Sequence, residues 1–383
     1  MSLPFLLMYL FGLLLFLIYA KPNEYEEYNI KRRGYNSITI SYRPRIFALG
    51  IILVSVGLLC ATRSMESYDT FVYAPWYEKI QSIGLFQIDG AYGILFELFA
   101  KIVAKIFHGG YQVFFFLVSS FNLIAVYKAI MRDEMQRETA MLSYLFYLTF
   151  IGFYYSFIVL RQGLAITMVI MAYCELDRSK RKALLLCIAG ALFHESAIIA
   201  VLCVLLYKSK FRLNRVAAYS LIVISLFFYV THVTARFIVP ILQSILNILN
   251  RIDAFTFHKY ILYFSQDSFT DNVSILYVFY YLLTIILVHF IYRKHGEEMM
   301  EERDRFFINI NVIGLAIIGF FSATGAITRL AEYMVTCTYI LLIPKLLRRI
   351  TNWRDTKLIS AVIMTVMIVL HLRIILGPID LYL

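Results

Sequence analysis

Arg161-Gln162 and His194-Glu195 interrupt a long, mostly apolar stretch, residues 154–197, which reads YYSFIVLRQGLAITMVIMAYCELDRSKRKALLLCIAGALFHESA. An arginine at a bilayer centre costs roughly 2.5–3.5 kcal/mol on insertion scales, so polar residues in such company ordinarily line a wet, functional cavity. Arg329 and Glu332 stand in a matching setting, ITRLAEY. Two planar guanidiniums can hold a phosphate or pyrophosphate bidentately without a metal. The bland alternative is that each arginine snorkels to the headgroups or pairs with a structural carboxylate such as Glu332. Histidine ordinarily titrates near neutral pH. That suits a general base taking a proton from a hydroxyl nucleophile, with Glu195 orienting it or acting in its place. Without such a task, a lone histidine in an apolar helix is a core residue.

A third group lies in residues 63–90, RSMESYDTFVYAPWYEKIQSIGLFQIDG. Aromatic rings beside carboxylates suit a sugar, which stacks on the rings and hydrogen-bonds the polar groups. Tyr and Trp also gather at bilayer interfaces without any ligand. Arg63, Asp69 and Tyr73 are the residues of this loop taken as substrate contacts, with Gln162 as a further donor to phosphate or sugar. No HExxH, DxD or second spaced histidine accompanies His194, so no metal site is expected. The five cysteines (60, 174, 187, 203, 337) form no CxxC and sit in or beside apolar runs. They read as small core residues.

The elements that must position these groups are membrane spans. Hydrophobic residues make up 61% of the 383-residue chain and charged ones 16%, well below the roughly 25% charged of soluble domains. The reading is an all-α, polytopic membrane protein, one domain over residues 1–383. Ten candidate spans cover 3–20, 46–62, 111–128, 140–158, 162–176, 216–234, 273–292, 306–325, 330–347 and 358–376. Residues 3–20 lack a basic leader and a clear cleavage site, so they read as a retained span. In 90–107, Glu97, Lys101 and Lys105 recur at helical spacing, the pattern of an amphipathic helix lying at an interface. Residues 237–249 are too short to span.

Residues 183–207 carry basic flanks on both sides, DRSKRK and KSKFRLNR. Basic loops favour the cytoplasm. A re-entrant helical hairpin places both flanks there and puts His194 at its tip, near mid-membrane. The competing topology makes 183–207 one span and 236–249 another, and leaves four basic residues outside. With the hairpin, the loops 20–45, 128–139, 177–182, 208–215, 293–305 and 345–357 are cytoplasmic and hold 26 of the 36 Lys and Arg. The net charge of +11 then records orientation and headgroup contact, not a nucleic-acid surface. Residues 63–110 and 235–272 become periplasmic loops, and Arg63, Asp69, Arg161, His194, Arg329 and Glu332 face one compartment.

The motifs have a family likeness. RSMESYDTFVY resembles the Arg…Asp-Thr-x-x-Tyr loop of the EpsG family of Wzy-type polysaccharide polymerases. FYYSFIVLRQGLA followed by ALFHESA resembles its aromatic span, RQ with small residues and Phe-His-x-Ser-Ala turn. ITRLAEYMVTCTYILLIP resembles its late Arg-Leu-x-x-Tyr span. The resemblance implies a multi-pass protein of the bacterial inner membrane with a GT-C-like fold, no metal or other cofactor, and a site facing the periplasm or cell exterior. It implies transfer of a growing glycan from undecaprenyl pyrophosphate to a lipid-linked repeat unit, making O-antigen, capsule or exopolysaccharide. Its partners are then those lipid-linked oligosaccharides, membrane lipid, a chain-length regulator and a flippase. In that chemistry His194 is the base, with Glu195 or Glu332 as orienter or alternate. Arg161 and Arg329, with Arg63, meet the pyrophosphate. A ligase-like transferase shares such a site and differs in acceptor. A flippase for the same lipids would also line its cavity with arginine, and a scaffold of the assembly machinery would need none of these residues.

Overall fold

Inside a bilayer every backbone N–H and C=O must be satisfied within its segment or by close neighbours, so apolar runs fold as helices. A computed structural model of the protein describes residues 3–18, 26–30, 38–42, 44–63, 65, 68–88, 90, 92–133, 136–209, 211–233, 240–241, 244–245, 248, 274–292, 301–322 and 325–376. Over its described residues, each of the ten apolar runs is mainly helical. The helices are α1 (Leu3–Ile18), α2 (Pro44–Ala61), α5 (Tyr111–Asp133), α6 (Arg137–Tyr147) running on into α7 (Phe153–Phe157), α8 (Leu160–Glu175), α11 (Arg215–Thr231), α12 (Ile275–Ile291), α13 (Glu302–Phe321), α14 (Gly325–Ile350) and α15 (Trp353–Leu376). Five segments, residues 111–133, 137–157, 302–321, 327–350 and 353–372, are long and apolar enough to cross a membrane. Between the runs lie α3 (Tyr68–Ile80), α4 (Ile94–Phe107), α9 (Lys180–Phe193) and α10 (Ile198–Leu206). The architecture is all-helical, as expected, with one small addition. In the loop 20–45, β1 (Glu26–Ile30) pairs antiparallel with β2 (Ile38–Tyr42), where β-branched Ile and Thr suit a pleated strand. The loop 235–272 and the segment 237–249 fall almost wholly outside the described residues.

The chain divides into two compact units. The first holds residues 1–174, 192–194 and 344–383, and the second 175–191 and 195–343. In the first, α2 packs on α1 and on α5. Residues 137–157 are its most enclosed span. Between α6 and α7 the helix widens into a π turn, Leu148–Gly152. Such a turn disturbs the regular ladder, and neighbouring helices contribute donors: Tyr9 donates to the Leu148 carbonyl at 2.9 Å and His371 Nδ1 to that of Thr149 at 2.9 Å. The outward face of α1 carries Leu7, Phe11, Leu14 and Ile18, all exposed and at helical spacing, as a lipid-facing stripe should be.

In the second unit α13 packs on α11. Thr284 on α12 donates to Asn311 on α13 at 2.6 Å and meets the Tyr339 hydroxyl of α14 at 2.8 Å. Interhelical hydrogen bonds of this kind hold helices where lipid supplies no hydrophobic drive. The chain also folds back on itself here. Lys180 Nζ, at the start of α9, donates to the Leu205 and Tyr207 carbonyls at the end of α10, at 3.2 and 3.4 Å. The Tyr207 hydroxyl bonds the Asp177 carboxylate. α9 and α10 are therefore antiparallel arms that begin and end together, with Cys187 and Cys203 interacting across them. All five cysteines are free thiols and buried.

Candidate functional site

The α7–α8 junction organises the first unit's polar residues. The helix breaks at Ile158–Val159 and restarts at Leu160, leaving backbone N–H groups of the new first turn without helical acceptors. Asp69 Oδ2 accepts from Leu160 N at 2.9 Å. A carboxylate at a helix N-terminus satisfies a donor and complements the helix dipole. Asp69 and Tyr73 sit four residues apart on α3, on one face. The Arg161 guanidinium interacts electrostatically with the Tyr73 hydroxyl and lies 5.8 Å from the centre of the Tyr92 ring. Burial pushes the Tyr73 phenol above its ordinary range; it keeps its proton and remains able to donate it.

Arg63 approaches the same junction from the loop before α3. It is 4% exposed. Its Nη1 donates to the Phe157 carbonyl at the end of α7, and its guanidinium stacks 4.2 Å from the Phe115 ring centre. Burial draws its pKa down and the Asp69 carboxylate works the other way; a guanidinium stays charged throughout. Arg63 Nε and Nη2 and Arg161 Nε are buried with no protein acceptor. Gln162 is buried and reaches the Tyr155 hydroxyl at 3.4 Å. Gly163 completes the RQG run because a Cβ there would stand 2.9 Å from the Tyr155 carbonyl oxygen.

Tyr92 and Gly93 carry no signal in the sequence, yet they tie this junction to His194. Gly93 has φ 93°, and a Cβ on it would lie 2.7 Å from the Phe193 carbonyl oxygen and 3.0 Å from that of Leu192. Residues 92–93 thus run against the end of α9, immediately before His194. The α4 charges hold this loop. Glu97 pairs with Lys101 at 2.7 Å, both side chains almost wholly buried. Glu97 also accepts from Gly90 N at 3.1 Å, and Lys101 donates to the Gln87 carbonyl. Of the three charges at helical spacing, Glu97 and Lys101 point inward, while Lys105 is exposed and reaches the Gln81 carbonyl at 3.4 Å; Ile94, Ile102, Ile106 and Phe107 are exposed as well. Trp76 stacks on Phe96 at 5.5 Å and meets Tyr92 edge-on at 5.1 Å, and Tyr73 meets Tyr92 at 5.4 Å. Tyr73, Trp76, Tyr92 and Phe96 are therefore one packed cluster, while Phe71 and Phe86 stay exposed.

His194 is non-helical and half-buried between α9 and a 3₁₀ turn, Glu195–Ala197. The division between units falls at the His194–Glu195 peptide. Arg63, Asp69, Tyr73, Arg161, Gln162 and His194 belong to the first unit; Glu195, Arg329 and Glu332 belong to the second. Within the second, Glu195 and Arg329 are exposed and Glu332 is half-buried. Ser196 Oγ is 3.0 Å from the Tyr333 hydroxyl, and that tyrosine interacts electrostatically with both Glu332 and Arg329. The turn after His194 is therefore pinned to α14 beside Glu332.

No curated protein and no solved structure matches the chain. The sequence model of the EpsG family matches residues 45–380. That range runs from the start of α2 to beyond α15 and contains every candidate residue described above. The chain belongs to the EpsG family, as a membrane protein of polysaccharide biosynthesis.

Proposed function

We propose that the protein is a polysaccharide polymerase that transfers a growing glycan from undecaprenyl pyrophosphate to a lipid-linked repeat unit, at the outer face of a bacterial inner membrane. The observation that carries this reading is the α8 N-terminus, where Arg161 and Arg63 bring buried N–H groups without protein acceptors to one junction. A pyrophosphate leaving group gains negative charge as its bond to the anomeric carbon breaks. Donors fixed in advance and shielded from water stabilise that charge most effectively. Arg161 takes the leaving phosphate and Arg63 supports the same charge from behind. Tyr73, with its proton free to donate, contacts phosphate or sugar, and Asp69 keeps the first turn of α8 in place.

The acceptor hydroxyl attacks the anomeric carbon and passes its proton to His194. The bond to the pyrophosphate oxygen breaks, and the lipid pyrophosphate departs with the electron pair. Direct displacement inverts the anomeric centre. Arg329, Glu332 and Glu195 are assigned to substrate binding or to orienting the base. No metal is required where guanidiniums carry the charge.

The test is polymerisation by purified protein of lipid-linked repeat units in the presence of chelator, with products resolved on a gel. Wild type should give a ladder, and His194→Ala and Arg329→Ala should not. No ladder across a panel of repeat units, from protein that is folded, would overturn the polymerase in favour of a transporter or scaffold. A ladder that survives His194→Ala alone would move the base to a carboxylate. A retained anomer in the product would remove the single-displacement step.

A further inference from the structure

At the end of the second unit where α9 begins and α10 ends, three basic loops meet. Arg303 Nη1 is 3.6 Å from Asp177, Tyr207 bonds the same carboxylate, and the Tyr292 hydroxyl donates to the Leu213 carbonyl. A shallow cleft with a cavity volume of about 30 Å³ opens there. It shares no lining residue with the cluster around Arg161. Among its described lining residues, Lys208, Arg212 and Arg305 stand against one carboxylate, Glu302.

The cleft wall is built. Asn309 on α13 spends both ends of its amide on the loop backbone, accepting from Leu213 N at 3.3 Å and donating to the Phe211 carbonyl at 3.3 Å. Ser209 Oγ accepts from Phe211 N at 3.3 Å. Lys208 is held at φ 62°, a left-handed backbone uncommon outside glycine, and persists when its surroundings determine it. Its ammonium stands 5.5 Å from the Tyr207 ring centre. Below these cations the lining is apolar: Phe306, Ile310 and Ile313, with Leu206 and Phe211 exposed at the rim.

We infer that this cleft binds an anionic phospholipid of the leaflet that the basic loops face, its phosphodiester between Lys208, Arg212 and Arg305 and an acyl chain along Leu206, Phe306 and Ile310. The cations select an anionic headgroup, as basic pockets between membrane helices do. The rim and floor select a lipid over a free phosphate, because the exposed Leu206 and Phe211 gain by contact with an acyl chain.

The test uses the full chain in detergent, titrated with phosphatidylglycerol and followed by thermal unfolding. Phosphatidylcholine and glycerol 3-phosphate are the comparison probes. Phosphatidylglycerol should raise the midpoint saturably, and the other two should not. The double variant Lys208→Gln/Arg212→Gln, both exposed residues, should bind about 25-fold more weakly, from roughly fivefold per headgroup-facing cation. An equal shift with phosphatidylcholine, an equal shift with glycerol 3-phosphate, or an unchanged affinity in the double variant would overturn the site. If that variant fails to fold, a photoactivatable phosphatidylglycerol on the wild type decides. Crosslinks should map to 206–212 or 305–313; crosslinks confined elsewhere would overturn the site equally.

Discussion

Asp69 and Arg161 meet the first turn of α8 in different capacities: the carboxylate satisfies a backbone donor, and the guanidinium is presented outward by the turn so fixed. The two functions separate by mutation. Asp69→Ala should cost about 1 kcal/mol of stability, the ordinary worth of an N-terminal cap, read by thermal unfolding in detergent. Asp69→Asn keeps an acceptor oxygen for Leu160 N and should recover most of that loss, while polymer output still falls because Arg63 loses its counter-charge. Equal instability of the two variants would count against the capping role. Arg161→Lys should fold and lose about 100-fold in rate, since a point charge does not reproduce a planar fork aimed at a leaving group. Normal chain lengths at matched protein level would sink the clamp. Residue types were legible in the sequence here and their partners were not. Arg63 and Asp69 find a carbonyl and an N–H, groups that every position carries, so no pattern marks Phe157 or Leu160. Tyr92 is one of 29 tyrosines, and only its place beside Gly93 and above Arg161 distinguishes it.

On α4 the spacing of Glu97, Lys101 and Lys105 was visible, but not which of them turn inward. In water an i,i+4 ion pair decorates the solvent side. Here Lys105 is exposed among Ile94, Ile102 and Ile106, and the Glu97–Lys101 pair serves inside, tying Gly90 and Gln87 to the helix. Removing one member leaves an uncompensated buried charge, so Lys101→Met or Glu97→Leu alone should cost about 3–5 kcal/mol, and the two together should restore most of it. A double-mutant cycle on thermal midpoints measures this; silent single variants would mean that the pair is solvated. Gly93→Ala tests the next link. The residue's φ and the two carbonyls against it leave no place for a methyl group, and the expected loss is about 1–3 kcal/mol. Activity should fall further than stability, because the Phe193 carbonyl it displaces adjoins His194.

Across the whole chain, hydropathy marked every long helix, because lipid leaves an apolar run no other way to satisfy its backbone. The grouping into two units was not legible. It depends on polar contacts scattered through the sequence, such as Thr284 with Asn311 and Tyr339, and lipid-facing apolar residues look the same on every helix. The meeting of the loops around Asp177, Leu213 and Arg303 yields a global prediction. Cysteines placed at Ser179 and at Ser209, against a background whose own thiols are buried, should react alike with an impermeant reagent, and neither should react from outside intact cells. Different behaviour at the two sites would break the antiparallel arms, and ready labelling of both would reverse the orientation. The π turn at Leu148–Gly152 has a consequence of another kind. It holds one residue more than a regular helix of that length requires, so everything from Phe153 to Phe157 is out of phase with α6 by about 100°. Deleting a single residue there would bring the helix back into step and swing away the Phe157 carbonyl that holds Arg63 and the Ser156 carbonyl that takes the Cys60 thiol. Chain length at this point works like the tooth count of a gear: one tooth fewer and the wheel still turns, but it no longer meshes.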